Sequence, residues 1–172
     1  AVDPTGEVSL EANPEDVTPA RLEQWRSSGV NRLSLGVQSF QPALAPRYGR
    51  AHSARDASRA LEAVSRAGFR SFSADLIYGH PEQTVDMLVE DIDQAVATGV
   101  DHVSLYSLTI EPGTRFAARA QAVADEDRWC ALHDAAVERL QGAGLLRYEV
   151  SNFDRPGARS TRRRPQSSTS GR

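Results

Sequence analysis

Cysteine is nearly missing from this chain. Its 172 residues include one, Cys130, which excludes an internal disulfide. It also excludes an iron–sulfur cluster held by the chain's own thiolates, since such clusters take about three or four. No apolar run is long enough to span a bilayer, and no signal peptide is visible, so a cytoplasmic protein is expected. Charge of one sign is not in excess: the net charge of −3 leaves no basic field to argue for nucleic acid. There is no G-x-G-x-x-G or P-loop to favour nucleotide binding of that kind, and no nucleophile elbow to support a Ser-His-Asp order. His52, His80, His102 and His133 are scattered without metal-ligand spacing. An initiator Met is missing too, and the chain opens inside what reads as a structural unit. A fragment whose start lies upstream is therefore expected.

What is present is ordinary for one globular domain, with 40% hydrophobic and 25% charged residues. The pattern is strand, polar turn, helix, repeated. Residues 7–11 alternate as a short strand ending at Glu11. Thr18 followed by Pro19 caps a helix running to about Ser28, with Leu22 and Trp25 or Arg26 inward. Residues 31–40 form the most informative stretch. Leu33, Leu35 and Val37 alternate with Arg32, Ser34 and Gly36, and the run ends in Gln38, Ser39 and Phe40. A short turn or helix, 41–50, follows. Ser53 caps a helix over 54–67, with Ala57, Ala60, Leu61 and Val64 at helical spacing.

Residues 69–78 read as the next strand, with Phe72, Ala74 and Leu76 on one face and Asp75 on the other. Thr84 caps a helix over 85–98, and 101–110 is a fourth strand unit. Asp125 caps a helix over 125–142, with Trp129, Leu132, Ala136, Val137 and Leu140 as its stripe. Cys130 is expected to be a small buried hydrophobe on or beside that stripe. Residues 146–151 read as one more short strand. The Arg-, Ser- and Thr-rich end from Ala158 reads as disordered.

The fold class is therefore α/β, with four (β/α) units of a partial TIM-like barrel. Four units are too few to close an ordinary eight-stranded barrel, and a doubly wound sheet is the competing architecture. In a barrel the carboxyl ends of the strands form the active face. Glu11, Gln38, Asp75 and Thr109 stand at such ends, with Arg50 in a loop. Acid, amide, acid, hydroxyl and guanidinium suit a zwitterionic ligand carrying ribose hydroxyls. The other reading is local: Gln38 capping its turn, and Arg50 pairing with Glu11 or Asp75 at the barrel end. An unpaired acid inside a strand is costly, which favours a lumen-facing, ligand-paired Asp75.

Six strings, in order, carry a family resemblance: EVSLEANP (7–14), GVNRLSLGVQSF (29–40), YGRAHS (48–53), SFSADLIYGHPEQT (71–84), HVSLYSLTIEPGT (102–114) and YEVSNFDRPG (148–157). Together they resemble the oxygen-independent coproporphyrinogen III oxidase-like group of radical S-adenosylmethionine (SAM) proteins. The LEANP and YEVSNF-x-RPG forms are similar to its haem-chaperone (HemW-like) branch. The resemblance implies a six-stranded partial (β/α) barrel followed by a C-terminal domain. It implies a [4Fe-4S] cluster on a three-cysteine loop after the first strand, with SAM on the cluster's open iron. Oxidases of the group decarboxylate propionates of coproporphyrinogen III. The chaperone branch binds haem and delivers it to acceptor proteins, and an electron donor is a further implied partner. Position by position, Glu11, Gln38, Arg50 and Asp75 match SAM-binding positions. Thr109 matches one that contacts the adenosyl group chiefly through backbone.

Three departures stand out. The first two strands, with the cysteine loop, are not in this sequence. After Gly157 the family's H-N-x-x-Y-W segment is replaced by a His-free basic tail, as a frameshift or a premature gene end would produce. His80 stands where the family usually has Leu, and no role is assigned to it. The expected organisation is a partial radical SAM barrel over 1–120, the start of a C-terminal region over 121–157, and a disordered tail over 158–172. The chain alone is expected to be inactive, to hold no cluster and to present β-strand 7–11 as an open edge. Haem chaperone, coproporphyrinogen oxidase and an unrelated (β/α) lyase-like piece are the three functions weighed.

Overall fold

Four short polar side chains open the helices. Thr18 Oγ1 accepts from the Arg21 N–H, Ser53 Oγ from Asp56, Thr84 Oγ1 from Met87 and Asp125 Oδ1 from Arg128, each satisfying a donor that the helix start leaves unpaired. The computed structural model describes residues 6–49, 52–110, 113 and 123–157. In it these caps begin α1 (Pro19–Ser27), α2 (Ala54–Arg66), α3 (Val85–Ala97) and α4 (Glu126–Gly142). Between them run β1 (Ser9–Ala12), β2 (Arg32–Gln38), β3 (Ser71–Tyr78) and β4 (His102–Ser107). A 3-10 turn, Pro14–Asp16, follows β1. Arg50, Glu111, Pro112 and the tail from Ala158 lie outside the described residues.

β1 to β4 are parallel and lie side by side in chain order. Every crossover therefore steps the same way, and right-handed crossovers then put successive helices on one face. A doubly wound sheet would reverse its order at a switch point. The sheet is thus a barrel wall rather than a doubly wound sheet, and it is open. Among the described residues no strand pairs with the outer edge of β1, and the far side is finished by an antiparallel hairpin of β5 (Leu146–Arg147) and β6 (Asn152–Asp154), in the order β4-β6-β5.

The two faces of the wall differ as the alternation requires. Leu33, Leu35, Val37, Phe72, Ala74, Leu76, Val103 and Leu105 are buried, in one core with Leu61, Val64, Leu88, Ile92, Leu132 and Leu140 from the helices. Each leucine truncated to alanine there would cost roughly 2–5 kcal/mol. The opposite face carries Arg32, Ser34, Ser73, Asp75, His102 and Ser104. Cross-strand register lines up Glu11, Ser34, Ser73, His102 and Asp154 in one polar row, with Asp75, Ser104 and Asn152 in the next.

Two sequence expectations are corrected. The strand expected over 146–151 is only β5 (Leu146–Arg147), and a separate β6 (Asn152–Asp154) pairs with β4. Between them Arg147 folds the chain back, its Nη2 donating to the Val150 carbonyl at 2.9 Å and its Nε to that of Glu149 at 3.1 Å. Val150, which looks like a strand residue, is 80% exposed. Cys130 is exposed rather than buried. The buried stripe of α4 is Leu132, Ala136 and Leu140, and at 3.6 residues per turn Cys130 falls on the far side of the helix from it.

Candidate functional site

Asp75 is half-buried in β3, and its carboxylate is held from below. Ser34 Oγ, on β2, donates to Oδ1 at 3.0 Å and lies 3.2 Å from Oδ2. Ser34 is in turn 2.7 Å from Ser73 Oγ, and the buried Arg32 Nη2 donates to Ser73 Oγ at 3.2 Å. With Ser34 donating to the carboxylate, Ser73 supplies its proton to Ser34, and the guanidinium supplies Ser73. Charge at the two ends therefore orients both hydroxyls in one direction. Glu11 is exposed in β1, directly opposite Ser34 in register, so Glu11 and Asp75 share the polar face.

Gln38 ends β2 in an unusual backbone. Its φ is 68°, and among the described residues it alone has positive φ without being glycine. The Ser39 N–H donates back to the Val37 carbonyl at 2.9 Å. That makes Gln38 the centre of a left-handed γ-turn, the rare and strained form. The register against β3 slips here, placing Gln38 opposite Leu76. A bulge of this kind re-aims a side chain at the end of a strand. Gln38 is 7% exposed.

The loop after Gln38 is stapled to α3 by Asp91. Ser39 Oγ donates to Asp91 Oδ2 at 2.6 Å, and the Phe40 N–H to Oδ1 at 2.8 Å. Burial pushes the Asp91 carboxyl up to about 6, against the lowering pull of its Ser39, Phe40 and Gln41 hydrogen bonds. Burial likewise raises the Tyr48 phenol, with the Asp91 charge adding to it. His80, to which no role fell, folds its own loop: Nδ1 accepts from the Glu82 N–H at 3.1 Å, and burial lowers its pKa.

The structure therefore places Glu11 and Asp75 on one face, Glu11 opposite Ser34 in register and Asp75 hydrogen-bonded to it, with Gln38 at the carboxyl end of the intervening strand. Thr109 is exposed two residues beyond β4, where the Leu108 N–H still donates to the Tyr78 carbonyl at 2.7 Å. No described contact joins Thr109 to the other three. Arg50 falls outside the described residues. Sequence reasoning missed Ser34, Ser73, His52 and Asp91. The signals were a serine on the polar face of each of two strands that otherwise read as buried, Ser34 in β2 and Ser73 in β3, and an acid inside the apolar stripe of α3.

The Radical SAM superfamily model matches residues 2–95. The chain is 38% identical over 151 residues to the heme chaperone HemW of Escherichia coli strain K12, covering 88% of this chain and 40% of that protein. It is 43% identical over 159 residues to HemW of Mycobacterium tuberculosis, covering 90% and 40%. It is 40% identical over 159 residues to the mouse mitochondrial radical S-adenosyl methionine domain-containing protein 1, covering 90% and 36%. The chain thus spans about two fifths of the length of these relatives. Among solved structures, the E. coli coproporphyrinogen III oxidase HemN, a radical SAM enzyme, superposes with a TM-score of 0.81 at 24% identity, covering 90% of this chain and 36% of that one. That likeness carries the fold, a radical SAM (β/α) barrel wall. With a family model matching more than half its length, the chain belongs to the radical SAM superfamily.

Proposed function

We propose that this chain is the SAM-binding part of the barrel of a haem chaperone. One observation carries the reading: a carboxylate braced by Ser34, a second carboxylate two strands away and a strained glutamine on the strand between them, in a chain 38–43% identical to HemW proteins. The donor set fits the ligand. Glu11 and Asp75 can accept from ribose hydroxyls or an ammonium, Gln38 can both donate and accept, and Arg50, outside the described residues, brings a guanidinium of the kind that pairs with a carboxylate. Thr109 contributes through its backbone. Bound there, SAM supplies a carbon–sulfur bond open to reductive cleavage.

The chain's residues do not fit a [4Fe-4S] cluster. It has one cysteine, and among the described residues no three His, Cys, Asp or Glu side chains group to hold a metal. The cluster of the whole protein is therefore held by residues other than these, and haem binding, delivery to an acceptor protein and reduction by an electron donor are proposed for the whole protein. No described helix is long and apolar enough to cross a membrane, and we place the protein in the cytoplasm.

The test is calorimetric titration of SAM into the cluster-reconstituted, full-length protein. Asp75→Asn and Glu11→Gln are each expected to weaken binding about tenfold, the worth of one charge-assisted hydrogen bond. Undiminished affinity in both would overturn the site. A second reading, oxidative decarboxylation of coproporphyrinogen III, is favoured by the shared fold with HemN. Haem transfer without decarboxylation supports the chaperone, and decarboxylation without haem binding supports the oxidase.

A further inference from the structure

The γ-turn at Gln38 is clamped from both sides by buried side chains on different elements. A non-glycine residue held at positive φ costs about 1–3 kcal/mol and persists where its surroundings over-determine it. On the amino side His52, 5% exposed, sets Nε2 at 3.1 Å from the Val37 carbonyl oxygen. A carbonyl only accepts, so Nε2 is the donor. That oxygen also receives the Ser39 N–H, so the imidazole reinforces the peptide that closes the turn. On the carboxyl side Asp91, fully buried, takes the Ser39 hydroxyl and the Phe40 N–H. The other nitrogen of His52, Nδ1, lies 3.0 Å from Glu15 Oε2. Glu15 sits in the 3-10 turn directly after β1, four residues past Glu11. The ring therefore ties the segment after β1 to the end of β2.

We infer that His52 and Asp91 are positioning residues that hold the Gln38 turn in its left-handed form, and that Glu15–His52 keeps this turn in step with the β1 end bearing Glu11. Neither acts on the ligand directly; both act through Gln38. The inference rests on the reading that Gln38 contacts SAM. A packing role alone predicts lost stability with affinity unchanged in whatever folds. A positioning role predicts lost affinity in folded protein, with recovery where the hydrogen bond is restored.

The experiment compares His52→Leu, His52→Gln, Asp91→Leu and Asp91→Asn in the full-length, cluster-reconstituted protein. SAM affinity is measured by calorimetry and the φ of residue 38 by crystallography. His52→Leu and Asp91→Leu are expected to lose about tenfold or more in affinity as residue 38 relaxes to negative φ. His52→Gln restores a donor toward Val37, and Asp91→Asn keeps an acceptor for Phe40. Both should stay within about threefold of wild type with φ unchanged. If the leucine variants fail to fold, His52→Ser and Asp91→Ser, which are smaller and remove the same bonds, take their place. Folded variants that keep both affinity and positive φ overturn the inference. Should the wild type bind no SAM, the proposed function fails, and the φ of residue 38 alone decides: relaxation in the leucine variants supports the clamp, and retention overturns it.

Discussion

Ser34 donates its hydroxyl proton to the carboxylate of Asp75, one strand away, at 3.0 Å from Oδ1. The bond is the last in a row that starts at the buried Arg32 guanidinium and passes through Ser73. A hydrogen bond to a charged group contributes about 1.5–3 kcal/mol, and a buried partner left without one costs a similar amount. Ser34→Ala is therefore expected to destabilise the chain by about 2 kcal/mol. Ser65→Ala, at an exposed site on α2, should stay within about 0.5 kcal/mol. Urea unfolding of the two variants checks this, and equal midpoints would remove the row's energetic weight.

Gln38 makes a separate prediction through its backbone. Asparagine tolerates the left-handed region and keeps an amide, whereas a β-branched side chain there is strongly disfavoured. Gln38→Val is expected to cost about 2 kcal/mol more than Gln38→Asn, although valine is the better strand former. If the valine variant proves as stable as the asparagine one, residue 38 does not hold its φ of 68° in solution.

Much of this was legible before any coordinates. The alternation of Leu33, Leu35 and Val37 with Arg32 and Ser34 marks a wall buried on both faces, polar on one, and the four caps at Thr18, Ser53, Thr84 and Asp125 fall where the helices begin. Glu11 and Asp75 could be placed on strands by periodicity. That Ser34 would stand between them could not, because register is set by the pairing of strands and not by either strand alone. The γ-turn was hidden for a different reason: positive φ is signalled by glycine or asparagine, and Gln38 is neither. β6 was missed because three residues of strand leave no period to count, and Asn152–Asp154 extends only because β4 offers an edge.

Cys130 offers a direct check on the α4 register. It is exposed, on the opposite side from Leu132, Ala136 and Leu140. A thiol-specific reagent should label one equivalent in native buffer, at a rate close to that in denaturant, and Cys130→Ser should shift stability by no more than about 0.5 kcal/mol. Labelling only after denaturation would mean that α4 is rotated from the position described.

Asp91 links the loop after Gln38 to pH. Its carboxyl rises from 3.8 to about 6 in the folded chain because burial disfavours the charge. A group whose folded pKa is raised favours folding while protonated, so its contribution is complete below about 4 and is lost as pH climbs through about 6. At about 1.4 kcal/mol per pH unit the loss amounts to about 3 kcal/mol. The charged and titratable neighbours of the site are Glu90, which raises Asp91 further, and Tyr48, which stays neutral throughout this range. Asp91→Asn removes the titration while keeping an oxygen for the Phe40 N–H. The difference in unfolding free energy between wild type and Asp91→Asn should therefore swing by about 3 kcal/mol in favour of the asparagine variant between pH 4 and pH 7. Guanidinium unfolding at half-unit steps measures it. A difference that stays level across that range would mean that Asp91 titrates alike folded and unfolded, and so does not hold Ser39 and Phe40 from a buried position.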